Sequence, residues 1–168
     1  MKKTVRILTL LLALLTLTLC FAACGGKSGA GAGDGDGDGY VFKSPNGAKI
    51  AIGARHDDVI PKLGAYVSVN ISDSCGGFSG KDRIYFYNGF RVYTTPSAKG
   101  DVVIKIELTD DSVATPEGLT IGSTKDDVIK ALGNGTATGG NLTYEAGGMK
   151  LVFIIRDGFV TNIQYLEK

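Results

Sequence analysis

A thirteen-residue segment occurs twice in this chain. Residues 52–64 read IGARHDDVIPKLG and residues 121–133 read IGSTKDDVIKALG, so that eight of the thirteen positions are identical. An internal repeat constrains the architecture strongly, because both copies predict the same supersecondary unit. We therefore predict two copies of one small unit, over residues 40–109 and 110–168, which together form one compact domain.

The repeated segment predicts a short helix in each copy. In the second copy, Thr124 precedes the helix, Asp127 follows three residues later, and Gly133 stands where the helix should end. Thr and an acidic residue at this spacing are close to a capping box, and glycine favours a helix C-terminus. The second helix is therefore well defined at both ends.

The first copy lacks part of this signal. Arg55 replaces the capping threonine and Pro61 lies within the helical pattern. Proline deep inside a helix costs about 3 kcal/mol, and an aspartate is a good N-cap. We therefore expect the first helix to be shorter or shifted, with Asp57 or Asp58 as its cap.

Alternating apolar and polar residues predict antiparallel strands. Two-residue turns at Asn88-Gly89 and Asp157-Gly158 indicate hairpins. Turns at 45–47 and 116–118 should each lead to a short strand that ends in Ile-Gly. The predicted strands cover residues 66–71 (an edge strand), 83–87, 90–94 and 102–108 in the first copy, and 142–144, 149–155 and 159–166 in the second. The predicted fold class is α+β, with two tandem repeats, each a short helical segment packed on one face of an antiparallel β-sheet.

The first 24 residues have the three parts of a secretory signal. Lys2, Lys3 and Arg6 form a basic start, residues 7–19 are mostly apolar, and Phe21-Ala22-Ala23-Cys24 follows. Small residues before a cysteine resemble a bacterial lipobox, although Phe21 departs from the usual leucine. We predict a lipoprotein signal peptide over residues 1–23 and lipidation of Cys24, including palmitate. An uncleaved N-terminal membrane anchor is the alternative.

Residues 24–39 are predicted to be a flexible tether. After Cys24 the segment is almost wholly Gly, Ala, Ser and Asp, a composition that cannot bury a core. Residues 34–39 resemble the start of a calcium loop, but Pro45 occupies the position that requires a bidentate glutamate. Because several acyl chains hold a protein stably on a membrane, we expect an exported protein that is lipid-anchored to a bacterial membrane, with its domain outside the cytoplasm.

Composition and motif content argue against several classes of function. The chain has 18 basic and 17 acidic residues, a net charge of +1, so we expect no nucleic-acid partner. After lipidation of Cys24, Cys75 has no cysteine with which to form an internal disulfide; it is a loop residue or a reactive thiol.

Candidate catalytic groups are also sparse. The acidic pairs at 57–58 and 126–127 lie at helix starts, where the helix dipole favours negative charge. His56 is the only histidine, and we read it as a solvated residue of the first helical turn, with a base or metal ligand as the alternative. We therefore predict no enzyme activity, no catalytic residues, no metal site and no cofactor.

The pattern Ile-Gly-x3-Asp-Asp-Val-x3-Leu-Gly followed by hairpin strands resembles two related groups. One is the β-lactamase inhibitory protein, which is built from two tandem copies. The other is the small outer-membrane-assembly lipoprotein family, which has one copy on a lipidated, flexible N-terminus. The resemblance covers residues 44–168 and implies a fold more firmly than a function.

The hairpin register predicts a binding face on the sheet. Residues that flank a two-residue turn share a face, and the face opposite Tyr87 and Phe90 mixes aromatic, aliphatic and basic groups that suit protein contacts. The candidate partner-binding residues are Ile84, Phe86, Arg91, Tyr93, Lys150, Val152, Ile154 and Arg156. Burial of this face by the packing of the repeats is the alternative.

These observations predict a membrane-anchored surface lipoprotein with a non-enzymatic domain that binds a protein or an envelope component. Its partners would be the membrane, through the N-terminal lipid, and a protein of unknown identity. The main alternative is an inhibitor of a secreted enzyme. A module for a small ligand or metal, and an enzyme, are further alternatives.

Overall fold

The structure, a computed structural model, describes residues 39–168. The predicted signal peptide, Cys24 and residues 24–38 of the tether lie outside the described residues. Between residues 39 and 168 the elements are β1 (Phe42–Lys43), β2 (Lys49–Ile50), α1 (His56–Leu63), β3 (Ser68–Asp73), β4 (Lys81–Tyr87), β5 (Phe90–Thr95), β6 (Val102–Leu108), α2 (Lys125–Leu132), β7 (Thr136–Thr138), β8 (Asn141–Ala146), β9 (Met149–Arg156) and β10 (Phe159–Glu167).

Eight strands form one antiparallel sheet in the order β3-β4-β5-β6-β10-β9-β8-β7, and β1 pairs with β2 in a separate hairpin. The last strands of the two halves, β6 and β10, meet at the centre, with Leu108 opposite Ile163. The fold is thus a sheet-dominated α+β arrangement with two helices. At this level the predicted fold class is confirmed.

The turn signals locate the hairpins correctly. Asn88-Gly89 joins β4 to β5, with Tyr87 opposite Phe90. Asp157-Gly158 joins β9 to β10 with φ values of 52° and 84°, as a two-residue hairpin turn requires. The short strand predicted after the turn at 45–47 is β2, which ends at Ile50 rather than at Ile52-Gly53, and no strand follows the turn at 116–118 in the described part of the chain.

The two helices have the same length and matching positions within the repeated segment. The expectation that the first helix is shorter or shifted is therefore wrong. Its start is held by a neighbouring strand, because the amide of His56 donates to the carbonyl of Asp101 at 2.9 Å and Arg55 forms a β-bridge with Val102. Pro61 lies inside the helix and removes one internal hydrogen bond.

Alternate strand residues form a single apolar core. Val59 and Leu63 of α1 and Val128 of α2 belong to the same buried cluster as the inward residues of the central strands. Phe42 of β1 covers the centre of the sheet, with ring centroids 5.0 Å from Phe90. Neither α1 nor α2 has the length and apolar character needed to cross a bilayer.

Candidate partner-binding face

The strand residues that alternate with the core residues form the opposite face of the sheet, which we call the open face. The buried residues of both helices and of β1 lie on the core side. The open face is defined by Ile84, Phe86, Arg91, Tyr93, Lys105, Glu107, Asn162, Gln164, Leu166, Lys150, Val152, Ile154 and Arg156, of which Arg156 is exposed and the others are half-buried.

The eight candidate residues predicted from the sequence all lie on the open face, but in two groups. The first is on β4 and β5, where Phe86 is opposite Arg91 and Ile84 is opposite Tyr93. The second is on β9. Strands β6 and β10 lie between the groups, so that β5 and β9 are about 14 Å apart at the usual strand spacing. Neither group contacts the other directly.

Two rows of cross-strand neighbours connect these groups. Directly opposed side chains have Cβ atoms only about 5 Å apart, which makes each row a continuous surface. The first row is Phe86, Arg91, Glu107, Gln164 and Val152, and the second is Ile84, Tyr93, Lys105, Leu166 and Lys150. The residues of β6 and β10 that complete the rows were not among the candidates.

Glu107 is the centre of a polar cluster on the open face. Tyr93 Oη donates to Glu107 Oε2 at 2.6 Å, and Asn162 Nδ2 donates to Oε1 at 3.0 Å. Arg91 Nη1 and Lys105 Nζ lie 3.7 and 3.8 Å from Oε2. We call these five residues the Glu107 cluster. Because the Glu107 side chain is only 13% exposed, these contacts replace most of its hydration.

The cluster fixes the charge at the centre of the open face. Burial acts to raise the pKa of Glu107, but the hydrogen bond from Tyr93, together with Lys105, Asn162 and Arg91, outweighs burial and lowers it. Burial, and then the hydrogen bond to Glu107, raises the pKa of Tyr93. At neutral pH the cluster therefore contains one carboxylate, a neutral phenol and two cations, and carries a net positive charge.

Both cations also lie over aromatic rings. Lys105 Nζ is 3.8 Å from the ring centroid of Tyr93, and Arg91 Cζ is 5.2 Å from that of Phe86. Contacts of this kind attract a cation to the ring face. They hold the long basic side chains against the sheet and so reduce their conformational freedom before any partner arrives.

Alternation in the sequence could have identified the open-face residues of β6 and β10 that the prediction omitted, but not their position between the two groups. Lys105 and Glu107 alternate with buried Ile106 and Leu108, as Asn162 and Gln164 do with Ile163 and Tyr165. Each of β6 and β10 contains a register shift, at Ile104 and Thr161, and a bulge of this kind breaks the simple alternation. The pairing of β6 with β10 has no local signal.

His56 lies in a separate cluster on the core side of the sheet. Its Nδ1 is 2.8 Å from Asp57 Oδ1 and its Nε2 is 2.7 Å from Tyr85 Oη. His56 lies in the first turn of α1, as predicted, but its imidazole is only 20% exposed and is therefore largely shielded from solvent. Burial raises the pKa of Tyr85, which keeps its proton. The arrangement links α1 to β4 and leaves the phenol buried.

Other possible sites are weaker. Within residues 39–168, no three His, Cys, Asp or Glu side chains are grouped to hold a metal ion. Cys75 is exposed in the loop between β3 and β4. A shallow cleft of about 270 Å³ lies between the two proline turns, beside Pro45 and Pro116, which is below the usual range for a small-molecule pocket.

Comparison with known proteins adds little to this geometry. No family model and no curated protein matches the chain. Among solved structures, the chain is similar to a DUF4309 family protein, YjgB from Bacillus subtilis, with a TM-score of 0.42, 16% sequence identity, and coverage of 68% of this chain and 79% of that chain. Similarity at this level does not establish a shared fold or function.

Proposed function

We propose that this chain is a lipid-anchored bacterial envelope protein whose domain, residues 40–168, binds a protein partner through the open face without catalysing a reaction. The observation that carries the proposal is the composition of that face. Aromatic, aliphatic and basic side chains stand half-exposed around a preorganised ion cluster. Interface cores are enriched in aromatic and arginine side chains, and residues of these types supply much of the binding energy.

The charge of the open face favours an acidic partner surface. Arg91 is 41% exposed, and a guanidinium has five donors, so that it can bind a partner carboxylate while it remains near Glu107. Arg156 Nη1 donates to Asn141 Oδ1 at 3.2 Å and to the carbonyl of Ile155 at 2.8 Å. A partner with carboxylates between apolar groups would complement both ends of the face.

The proposed location rests on the N-terminal sequence. A lipid on Cys24, including palmitate, would hold the exported chain on a membrane, and residues 25–39 would be the tether. A flexible segment of this length has an r.m.s. span of roughly 20 Å. That distance lifts the domain off the lipid surface and leaves the open face free to meet a second protein.

We also propose that residues 40–109 and 110–168 are copies of one unit, each with its helix on the sheet. The doubled segment supports this. So do matched hydrogen bonds, because Gly53 N donates to Val103 O at 2.7 Å and Gly122 N donates to Val160 O at 2.8 Å. The bulges at Ile104 and Thr161 directly follow those acceptor residues. This interpretation accords with the resemblance to the tandem β-lactamase inhibitory protein.

Site-specific crosslinking in the producing cell tests the binding site. A photoreactive residue is placed at Val152 of the full chain, with exposed Lys130 of α2 as the control position. We expect a protein adduct from position 152 and none from 130. Arg91→Glu should greatly reduce that adduct, because it puts a second carboxylate beside Glu107. Equal adducts from both positions, or no effect of Arg91→Glu, would contradict the site.

The same cells test the anchor. The crosslinked chain should incorporate labelled palmitate, and Cys24→Ser should abolish the label. If the captured partner is a secreted hydrolase, titration of its activity with this chain decides whether the interaction is inhibitory.

A further inference from the structure

Strand β3 is an edge of the eight-stranded sheet that pairs with β4 alone in the described part of the chain. Ile71 of β3 is 58% exposed, and Val67, the residue before the strand, is 69% exposed, whereas Val69 is half-buried against the core. Edge strands are normally protected by short length, charge or proline, because their free backbone groups attract other strands. The other edge, β7, is only three residues long.

The register shows which backbone groups of β3 are free. Tyr87 and Phe90 flank a two-residue turn as a hydrogen-bonded pair, and such pairs occur at alternate positions. Odd-numbered residues of β4 therefore bond to β5 and even-numbered residues bond to β3. Because Asn70 is opposite Ile84, its backbone bonds inward. The N–H and C=O groups of Val69 and Ile71 consequently point outward.

The sequence of β3 is complementary to itself. Residues 68–72 read Ser-Val-Asn-Ile-Ser, which has the same chemical pattern from either end. In an antiparallel pair of copies centred on Asn70, each Val69 faces an Ile71, and their outward backbone groups exchange hydrogen bonds. Each Ser68 faces a Ser72, so that the same residue types meet throughout.

Only the last residue of β3, Asp73, carries a charge. Residues 66–72 contain no charge and no proline, the two devices that most often block an edge. Asp73, the first acidic residue after them, accepts a hydrogen bond from Lys81 Nζ at 2.6 Å. In the Asn70-centred register Asp73 lies opposite Val67 of the other copy, so that the two aspartates do not meet.

We propose that two copies of this chain associate through β3, antiparallel and with the two-fold axis at Asn70, and join their sheets into one. The contact is isologous and closes as a dimer. A two-fold axis between antiparallel strands is perpendicular to the sheet, so both open faces lie on the same side. The proposal is independent of the partner proposed for the open face.

Disulfide trapping of the full chain in its native membrane tests the register, in a Cys75→Ser background. Facing residues of a non-hydrogen-bonded pair have Cα atoms about 4.5 Å apart, which permits a disulfide. Asn70→Cys should therefore give a covalent dimer on oxidation. Ser68→Cys alone should give no covalent dimer, because the two copies of residue 68 are about 13 Å apart along the strands. Ser68→Cys coexpressed with Ser72→Cys should crosslink, because residues 68 and 72 face each other. The Cys75→Ser parent should remain uncrosslinked.

A charge in the edge provides the second measurement. Ile71→Lys, combined with Asn70→Cys, should abolish the dimer, and the matched control Ala137→Lys on edge strand β7 should leave it intact. Two results would overturn the proposal. One is the absence of crosslinks from both Asn70→Cys and the Ser68→Cys with Ser72→Cys pair. The other is equal crosslinking at positions 70 and 68, which indicates random collision.

Discussion

The two helices start at matching residues and share a backbone hydrogen bond to the sheet, from His56 N to Asp101 O in α1 and from Lys125 N to Gly158 O in α2, but their side-chain contacts differ. At the start of α2, Thr124 Oγ1 accepts from the amide of Asp127 at 3.1 Å, and the Asp127 carboxylate accepts from the amide of Thr124 at 3.0 Å. This capping box confirms the prediction. At the start of α1, Arg55 provides no side-chain cap, and His56 contacts Tyr85, which is 29 residues away.

The C-terminal ends also differ. Asn46 Nδ2 donates to the carbonyl of Lys62 in the last turn of α1, and Tyr144 Oη donates to the carbonyl of Gly133 after α2, each at 2.9 Å. Both helix starts bond to the sheet, but α2 adds a cap encoded within four residues, whereas the side-chain contact at the start of α1 comes from Tyr85 of β4. The comparison teaches that a helix can lose its local cap and retain its position when tertiary hydrogen bonds replace the cap.

The largest expected effect comes from the tertiary link of α1. Tyr85→Phe removes the phenolic partner of His56 and should destabilise the fold by about 1.5 kcal/mol, since a part-buried polar group is left unpaired. His56→Ala, alone and combined with Tyr85→Phe, completes a double-mutant cycle that isolates the pair. Urea unfolding followed by circular dichroism measures each change. Strictly additive losses would show that the contact contributes nothing to stability.

The local cap of α2 should have a smaller effect. Thr124→Ala removes one half of the capping box and should cost about 1 kcal/mol. The matched change Arg55→Ala at the start of α1 removes no capping bond and should alter the unfolding free energy by no more than about 0.5 kcal/mol. Equal losses at the two positions, measured by the same unfolding assay, would contradict the difference between the helices.

The smallest expected effect is a change in pH dependence. Hydrogen bonds from the side chain and amide of Thr124 lower the pKa of Asp127. A carboxyl with a lowered folded-state pKa stabilises the fold fully above its unfolded pKa of about 3.9 and loses that contribution as pH falls through the lower value. Asp127→Asn should therefore flatten the loss of unfolding free energy between about pH 5 and pH 2.

Thr124→Ala, measured over the same pH range, is a second test of this effect. It removes the side-chain hydrogen bond and should flatten the profile in the same direction. A hydrogen bond from His56 likewise lowers the pKa of Asp57, so that Asp57→Asn tests the same linkage in α1. A profile unchanged by Asp127→Asn would show that the capping carboxylate does not couple folding to protonation.

Local signals predicted much of the described fold. The Asn88-Gly89 and Asp157-Gly158 turns placed the two main hairpins, and alternation gave the correct face for Arg91 and Val152. The start of α1 could not be predicted, because it depends on Asp101 and Tyr85, which are distant in sequence. The cluster around Glu107 was missed for the same reason, since the residues that contact Glu107 lie on β5, β6 and β10.

By itself the sequence determined the period of each strand, the two-residue turns, the cap of α2 and the duplication of residues 52–64. These depend on residues within a few positions of one another, where propensity and hydrogen bonding act directly. Only the tertiary structure decided that β6 lies beside β10, and that residues of these two strands, Glu107 among them, lie between the two groups of candidates. Strand neighbours are selected by burial of the whole core, a property that no short segment contains.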